Sequence, residues 1–135
     1  MPPEILAFFE NYRDAFNVLD GGAVADLYSE PAGIAQDGNY THWPDRQAVA
    51  ENMEALCKLY KHRGFIRADF ELGQFIDQGT QYAIADVQWR IDWSSGEALS
   101  RFRTTYNMVR AVHGWKVILC TAYSEAALSR TTSAA

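Results

Sequence analysis

From Gln81 to Tyr123 the polar and apolar positions alternate in a way that only extended chain explains. Ala83, Ala85, Val87, Trp89, Ile91 and Trp93 are separated by Tyr82, Asp86, Gln88, Arg90 and Asp92, which predicts a strand with one dry and one wet face. Ser94-Ser95-Gly96-Glu97 reads as a turn. A second strand follows over Arg101 to Ala111, rich in Thr, Tyr, Phe and Val, and His113-Gly114 turns it into a third, Trp115 to Tyr123. Three consecutive strands with short connections predict an antiparallel meander whose dry face needs a cover.

The first half of the chain supplies helices for that cover. Ile5, Phe8, Phe9, Tyr12, Phe16 and Leu19 recur at three- and four-residue steps, so they form one aromatic stripe on an amphipathic helix. Asp20-Gly21-Gly22 stops it. A short helix, Ala23 to Tyr28, is expected to end before Pro31, and Gly33 to Tyr40 reads as a short strand or hairpin. Pro44-Asp45 opens another helix, with Asp45 as its cap and Val49, Met53, Leu56 and Tyr60 as its buried stripe. Gly64 closes it. Phe65 to Leu72 is the opening strand of the sheet, and Gln78-Gly79 turns into the long strand. The sum is an α+β arrangement with helices on one face of a curved antiparallel sheet, which together make a cone.

Length adds that 1–135 is a single domain, with an ordered core of about 4–124 and a loose Ser/Thr/Ala tail over 125–135. Aromatic residues make up 13 % of the chain, a surplus that suits an aromatic-lined cavity or interface. A formal net charge of −5 without a basic cluster argues against nucleic-acid binding. No apolar run nears the roughly 20 residues of a membrane span, and Met1-Pro2-Pro3-Glu4 lacks the basic start of a signal peptide. A soluble, cytoplasmic protein is therefore expected. Cys57 and Cys120 lack the spacing of a metal site and read as reduced, packed thiols. No phosphate-binding loop or nucleophile elbow is present, and no cofactor is expected.

In Tyr12 to Tyr28 (YRDAFNVLDGGAVADLY), Trp43 to Ala50 and Asn107 to Leu119 (NMVRAVHGWKVIL), the chain resembles the nuclear transport factor 2-like superfamily, in its ketosteroid isomerase and SnoaL-like branch. The resemblance covers roughly residues 4 to 124. It implies a cystatin-like cone in which three N-terminal helices pack on a curved antiparallel sheet. It also implies an interior pocket, and function then depends on what lines that pocket. Ketosteroid isomerase uses a tyrosine and a protonated aspartate to stabilise an oxyanion, with a second aspartate as base. Aligned from the first helix, the tyrosine falls on Tyr12, the base on Gln36 with Asp37 beside it, and the late-strand acid near Asn107. An amide at 107 can still donate a hydrogen bond. A glutamine takes no proton from carbon, which leaves Asp37 or His42 for that role.

The resemblance thus points to Tyr12, Asp37, His42 and Asn107 as catalytic candidates. Phe16, Met53, Trp89 and Tyr123 are expected to wall the pocket, with Gln36, Tyr40 and Trp43 near its mouth. Each has a structural alternative: Tyr12 as a core residue, Asp37 as a turn residue, His42 as a solvated or capping side chain. If Val109 faces the core, Arg101 and Arg103 point to the cavity and favour an anionic ligand, whereas a bulge would turn them outward. The opposite face then carries Ile84, Tyr106, Met108, Ile118, Cys120 and Ala122 within a charged rim, the makings of a homodimer interface. The function expected is small-molecule binding, with a cofactor-free isomerase, dehydratase or cyclase acting on an apolar carbonyl compound if the protein is an enzyme. The alternative is a non-catalytic ligand-binding or interaction module of the same fold.

Overall fold

The computed structural model describes residues 1–95 and 100–123, with the Ser100 side chain left aside. The expected tail and the Gly96-Glu97 half of the turn lie outside these residues. In chain order the elements are α1 (Pro3–Asn17), α2 (Gly21–Ala25), β1 (Tyr28–Gln36), β2 (Asn39–Trp43), α3 (Arg46–His62), β3 (Phe65–Gln78), β4 (Tyr82–Trp93), β5 (Ser100–Ala111) and β6 (Gly114–Tyr123). The six strands form one sheet in the order β2-β1-β6-β5-β4-β3.

The architecture is α+β, and two features depart from the expectation. A β-hairpin interrupts the three helices, so they do not form one N-terminal block. The sheet is mixed rather than antiparallel throughout, because β1 lies parallel to β6. β1 and β6 are far apart in the chain, so the elements between them supply the long crossover that a parallel pair requires.

Local chemistry explains the boundaries. Asp45 caps α3 by accepting from the Ala48 N–H at 2.9 Å, as the sequence predicts. Asp20 closes α1 through its backbone, its N–H donating to the Ala15 carbonyl at 3.0 Å just after Leu19 turns left-handed (φ 54°). It caps α2, accepting from the Ala23 N–H at 3.0 Å, and α2 is accordingly earlier and shorter than Ala23 to Tyr28. Tyr28 and Pro31 are strand residues. The hairpin is longer than Gly33 to Tyr40, and its tip is Asp37-Gly38, both with positive φ (52° and 79°). With Gln36 paired to Asn39, this is the two-residue loop whose twist suits a hairpin and which Asp-Gly favours. β3 runs six residues past Leu72, with a register shift between Leu72 and Phe75.

The core lies between the sheet and the helices. Ile5, Phe8, Phe9, Tyr12 and Phe16 of α1 are buried, as are Val49, Met53 and Cys57 of α3. Facing them, every predicted dry position of β4 is buried from Ala83 to Trp93. Asn17 fastens the end of α1 to β3: its Nδ2–H donates to the Ala68 carbonyl at 3.1 Å and its Oδ1 accepts from the Ala68 N–H at 2.7 Å. Both backbone groups of an edge-strand residue are thereby satisfied.

The faces of β5 are the reverse of the expectation. Ala85 pairs with Tyr106, Val87 with Thr104 and Ala83 with Met108, and directly opposed residues share a face. Tyr106 and Met108 are therefore core residues, at 2 % and 1 % exposure. Arg101, Arg103, Thr105 and Asn107 pair with Arg90, Gln88, Asp86 and Ile84 on the outer face. A register shift between Asn107 and Met108 lets β6 place both Val117 and Cys120 in the core.

Candidate functional site

The interior is not filled. A cavity of about 800 Å³ opens between α1, α3, the β1–β2 hairpin and the core face of β4–β6, within the range of small-molecule sites. Its buried end is built from aromatic side chains. The Tyr12 ring lies 5.5 Å from Trp89, 5.6 Å from Tyr106 and 6.2 Å from Tyr28, so one helix residue is held by three strands. Trp43 backs the group, edge-on to Tyr28 at 5.6 Å.

Polar atoms in this wall are linked. The Tyr12 and Tyr28 hydroxyls lie 2.7 Å apart, and either can donate. The Tyr28 hydroxyl also reaches the Cys120 Sγ at 3.6 Å, and the Cys120 thiol reaches the Gly33 carbonyl at 3.9 Å. Trp89 Nε1–H donates to the Tyr106 hydroxyl at 3.0 Å. Thr104, 4 % exposed, adds a further hydroxyl to the lining.

Burial fixes the protonation of these groups, since removing water penalises the charged form. It pushes the Tyr12, Tyr28 and Tyr106 phenols well above the ordinary tyrosine value. The hydrogen bond from Tyr28 offsets only part of the rise at Tyr12. Burial likewise pushes the Cys120 thiol up to about 11. At neutral pH the wall therefore offers neutral O–H and S–H groups. It can exchange hydrogen bonds with a ligand, but it holds no thiolate nucleophile and no base.

The exposed end is different. Gln36, Asp37, Asn39 and Thr41 border it from the hairpin, and Asn52, Leu56 and Leu59 border it from α3. Asp37 is the one carboxylate among the described lining residues, and no Lys, Arg or His lines the cavity among them. Asp37 sits at the hairpin tip, exposed to solvent.

Of the residues selected from the sequence, Tyr12, Phe16, Gln36, Asp37, Met53 and Trp89 line the cavity. The other six do not. Asn107 pairs with Ile84 on the outer face, so it cannot share a ligand atom with Tyr12, and the amide donor expected there is absent from the cavity. Arg103 is also outside, 3.1 Å from Asp86, and Tyr123 donates to the same carboxylate at 2.6 Å. Tyr40 and His42 alternate with the cavity-facing Asn39 and Thr41. Strand parity turns both away, and the Tyr40 ring rests over Gly33. Trp43 belongs to the packing behind Tyr28.

The sequence reading missed Tyr28, Thr104, Tyr106 and Cys120. A signal existed for two of them, Thr104 and Tyr106: Phe102, Thr104, Tyr106 and Met108 form the more apolar parity of β5, which marks the core side of a strand. Tyr28 was hidden by its assignment to a helix end. No group of three or more His, Cys, Asp or Glu residues able to hold a metal ion occurs among the described residues. No helix there is long and apolar enough to cross a membrane.

Solved structures share this architecture. The chain superposes with a TM-score of 0.76 on a cystatin-like-fold domain of unknown function from Nostoc punctiforme, at 21 % identity over 96 % of this chain and 80 % of that one. An NTF-2 like protein of unknown function from Shewanella oneidensis gives 0.72 at 15 % identity, over 88 % and 95 %. A ketosteroid isomerase-like protein from Erwinia carotovora atroseptica gives 0.64 at 14 % identity, over 92 % and 95 %. At such identities the likeness is one of fold. No curated protein sequence matches the chain. A family profile described as NTF2-like protein (DUF6841) matches residues 3–125, and with nearly its whole length inside that match the chain belongs to this NTF2-like family.

Proposed function

We propose that the protein binds an uncharged, largely apolar small molecule whose polar oxygen is met by the Tyr12 hydroxyl. The observation that carries this reading is the pairing of a cavity of about 800 Å³ with a buried wall of neutral phenols. Apolar area on the guest supplies the driving force, while an ionic guest would lose its hydration without finding a counter-charge. The buried wall supplies hydrogen-bond donors and no base, so binding needs nothing beyond it, whereas proton transfer needs a group from the exposed end.

A second reading keeps an isomerase, dehydratase or cyclase, and it rests on Asp37, which borders the cavity beside Gln36. Proton transfer from carbon then requires the guest's reacting atom to lie at the exposed end. We also propose that two copies pair through the outer face of the sheet.

Calorimetric titration with cyclododecanone, an uncharged ring ketone, tests the main reading. Saturable binding is expected, weakened about tenfold in Tyr12→Phe, the effect of removing one neutral hydrogen bond. Failure of the wild-type protein to bind uncharged ring ketones, or equal affinity in Tyr12→Phe, counts against it.

A further inference from the structure

The two ends of the cavity differ in chemistry as well as in exposure. Along the hairpin the lining runs from Ile34, packed against the core, out to the paired Gln36 and Asn39, so it turns from apolar to polar toward the tip. Asp37 stands at the tip itself, and α3 adds the exposed Asn52. Asn39 Nδ2–H donates to the Asp37 backbone carbonyl at 3.4 Å. That bond engages main chain and leaves the carboxylate aside. No Lys, Arg or His lines the cavity among the described residues, so no lining cation offsets the charge of Asp37.

A strongly polar tail on a guest belongs at this open end, because burying it against the aromatic wall would strip its hydration. There the charge of the tail decides. A carboxylate meets the like charge of Asp37, on a chain whose formal net charge is already −5. A neutral tail with an N–H or O–H finds acceptors instead: the Asp37 carboxylate, the Thr41 hydroxyl and the amide oxygens of Gln36, Asn39 and Asn52. We infer that the mouth is a second recognition subsite, that the guest is two-ended, with a neutral donor group opposite the oxygen met by Tyr12, and that Asp37 is the residue that rejects guests ending in a carboxylate. The inference deepens the binding reading and rests on it.

The test uses two probes of one shape: cyclohexylcyclohexanone whose far ring ends in a carboxamide or in a carboxylate. Both are titrated calorimetrically at neutral pH and low salt, and the quantity read is the ratio of dissociation constants, carboxylate over carboxamide. In the wild-type protein the carboxylate is expected to bind more weakly, by a ratio that shrinks as salt screens the repulsion. Asp37→Asn is expected to lower the ratio about threefold or more. Asparagine suits the left-handed turn position that Asp37 occupies (φ 52°), so this variant keeps the hairpin. Asn52→Lys, at an exposed helix position, brings a cation to the same mouth and is expected to lower the ratio as well. Equal affinities for the two probes in the wild-type protein, or a ratio unmoved by either variant, overturn the subsite. So does a wild-type protein that binds cyclododecanone but not the carboxamide, and in each of these cases the binding reading stands. Failure to bind cyclododecanone and both probes removes the binding reading, and this inference with it.

Discussion

At the scale of single residues, the cavity depends on side chains that are missing as well as on those that are present. A Cβ built on Gly21 would come 2.6 Å from the Glu54 backbone nitrogen and 2.8 Å from the Met53 carbonyl carbon. Both are main-chain atoms of α3, which no rotamer change can move, so glycine at 21 sets how closely α2 lies against α3. Met53 lines the cavity, and pushing α3 outward therefore alters the site as well as the packing. Gly21→Ala is expected to cost about 1–3 kcal/mol, read from urea unfolding, and to weaken cyclododecanone binding in the molecules that remain folded. An unchanged urea midpoint would show that the two helices separate freely. Sequence alone assigned this glycine to a helix stop, since Gly next to Asp reads equally well as the end of one helix or the start of another. The contact that decides between them is made with residues about thirty positions away.

At the scale of elements, legibility followed the contrast between the two faces of each strand. β4 alternates aliphatic or indole groups with charged or amide groups, and its buried positions all stood where the pattern placed them. β5 carries Arg101, Arg103, Thr105, Asn107 and Val109 on one parity and Phe102, Thr104, Tyr106 and Met108 on the other. Taking Val109 as a core residue reverses the strand, and a one-residue error of this kind exchanges every side chain between faces. Tyr12, Phe16 and Met53 were found because helical periodicity tolerates such errors better than strand periodicity. The correction also rebuilds the outer face. Tyr106, Met108 and Cys120 are not available to an interface there, whereas Ile76, Tyr82 and Ile84 are, at the end of the sheet away from the Asp86–Arg103 pair. If two copies pair through this face, sedimentation equilibrium will give twice the 15.2 kDa chain mass. Ile84→Glu, which places a charge amid those side chains, will then return the protein to a monomer. A wild-type monomer at all concentrations rejects the pairing.

At the scale of the whole molecule, one set of groups joins stability to the site. Tyr12, Tyr28, Tyr106 and Cys120 are core residues and cavity wall at once, and folding raises the pKa of all four, with burial the leading cause. An acid raised by folding holds its proton in the native state at pH values where the unfolded chain has released it. The unfolded state then binds fewer protons than the native state, so stability falls as pH rises. For Cys120 the window runs from 9.0 to about 11, and across it the thiol alone accounts for ~3 kcal/mol. The three phenols extend the loss upward from their ordinary value of 10.0. Stability should therefore be level with respect to these groups from neutral pH to about 9 and then drop steeply, with phenolate absorbance of the buried tyrosines appearing together with unfolding rather than before it. Urea midpoints measured from pH 7 to 11, with and without cyclododecanone, check this. A bound guest seals the same wall from water, so the alkaline limit should move to higher pH when the ketone is present. Phenolate absorbance that develops in the folded protein at the ordinary tyrosine value would mean that water reaches the wall, and that the cavity is not the dry, neutral site on which the binding reading depends.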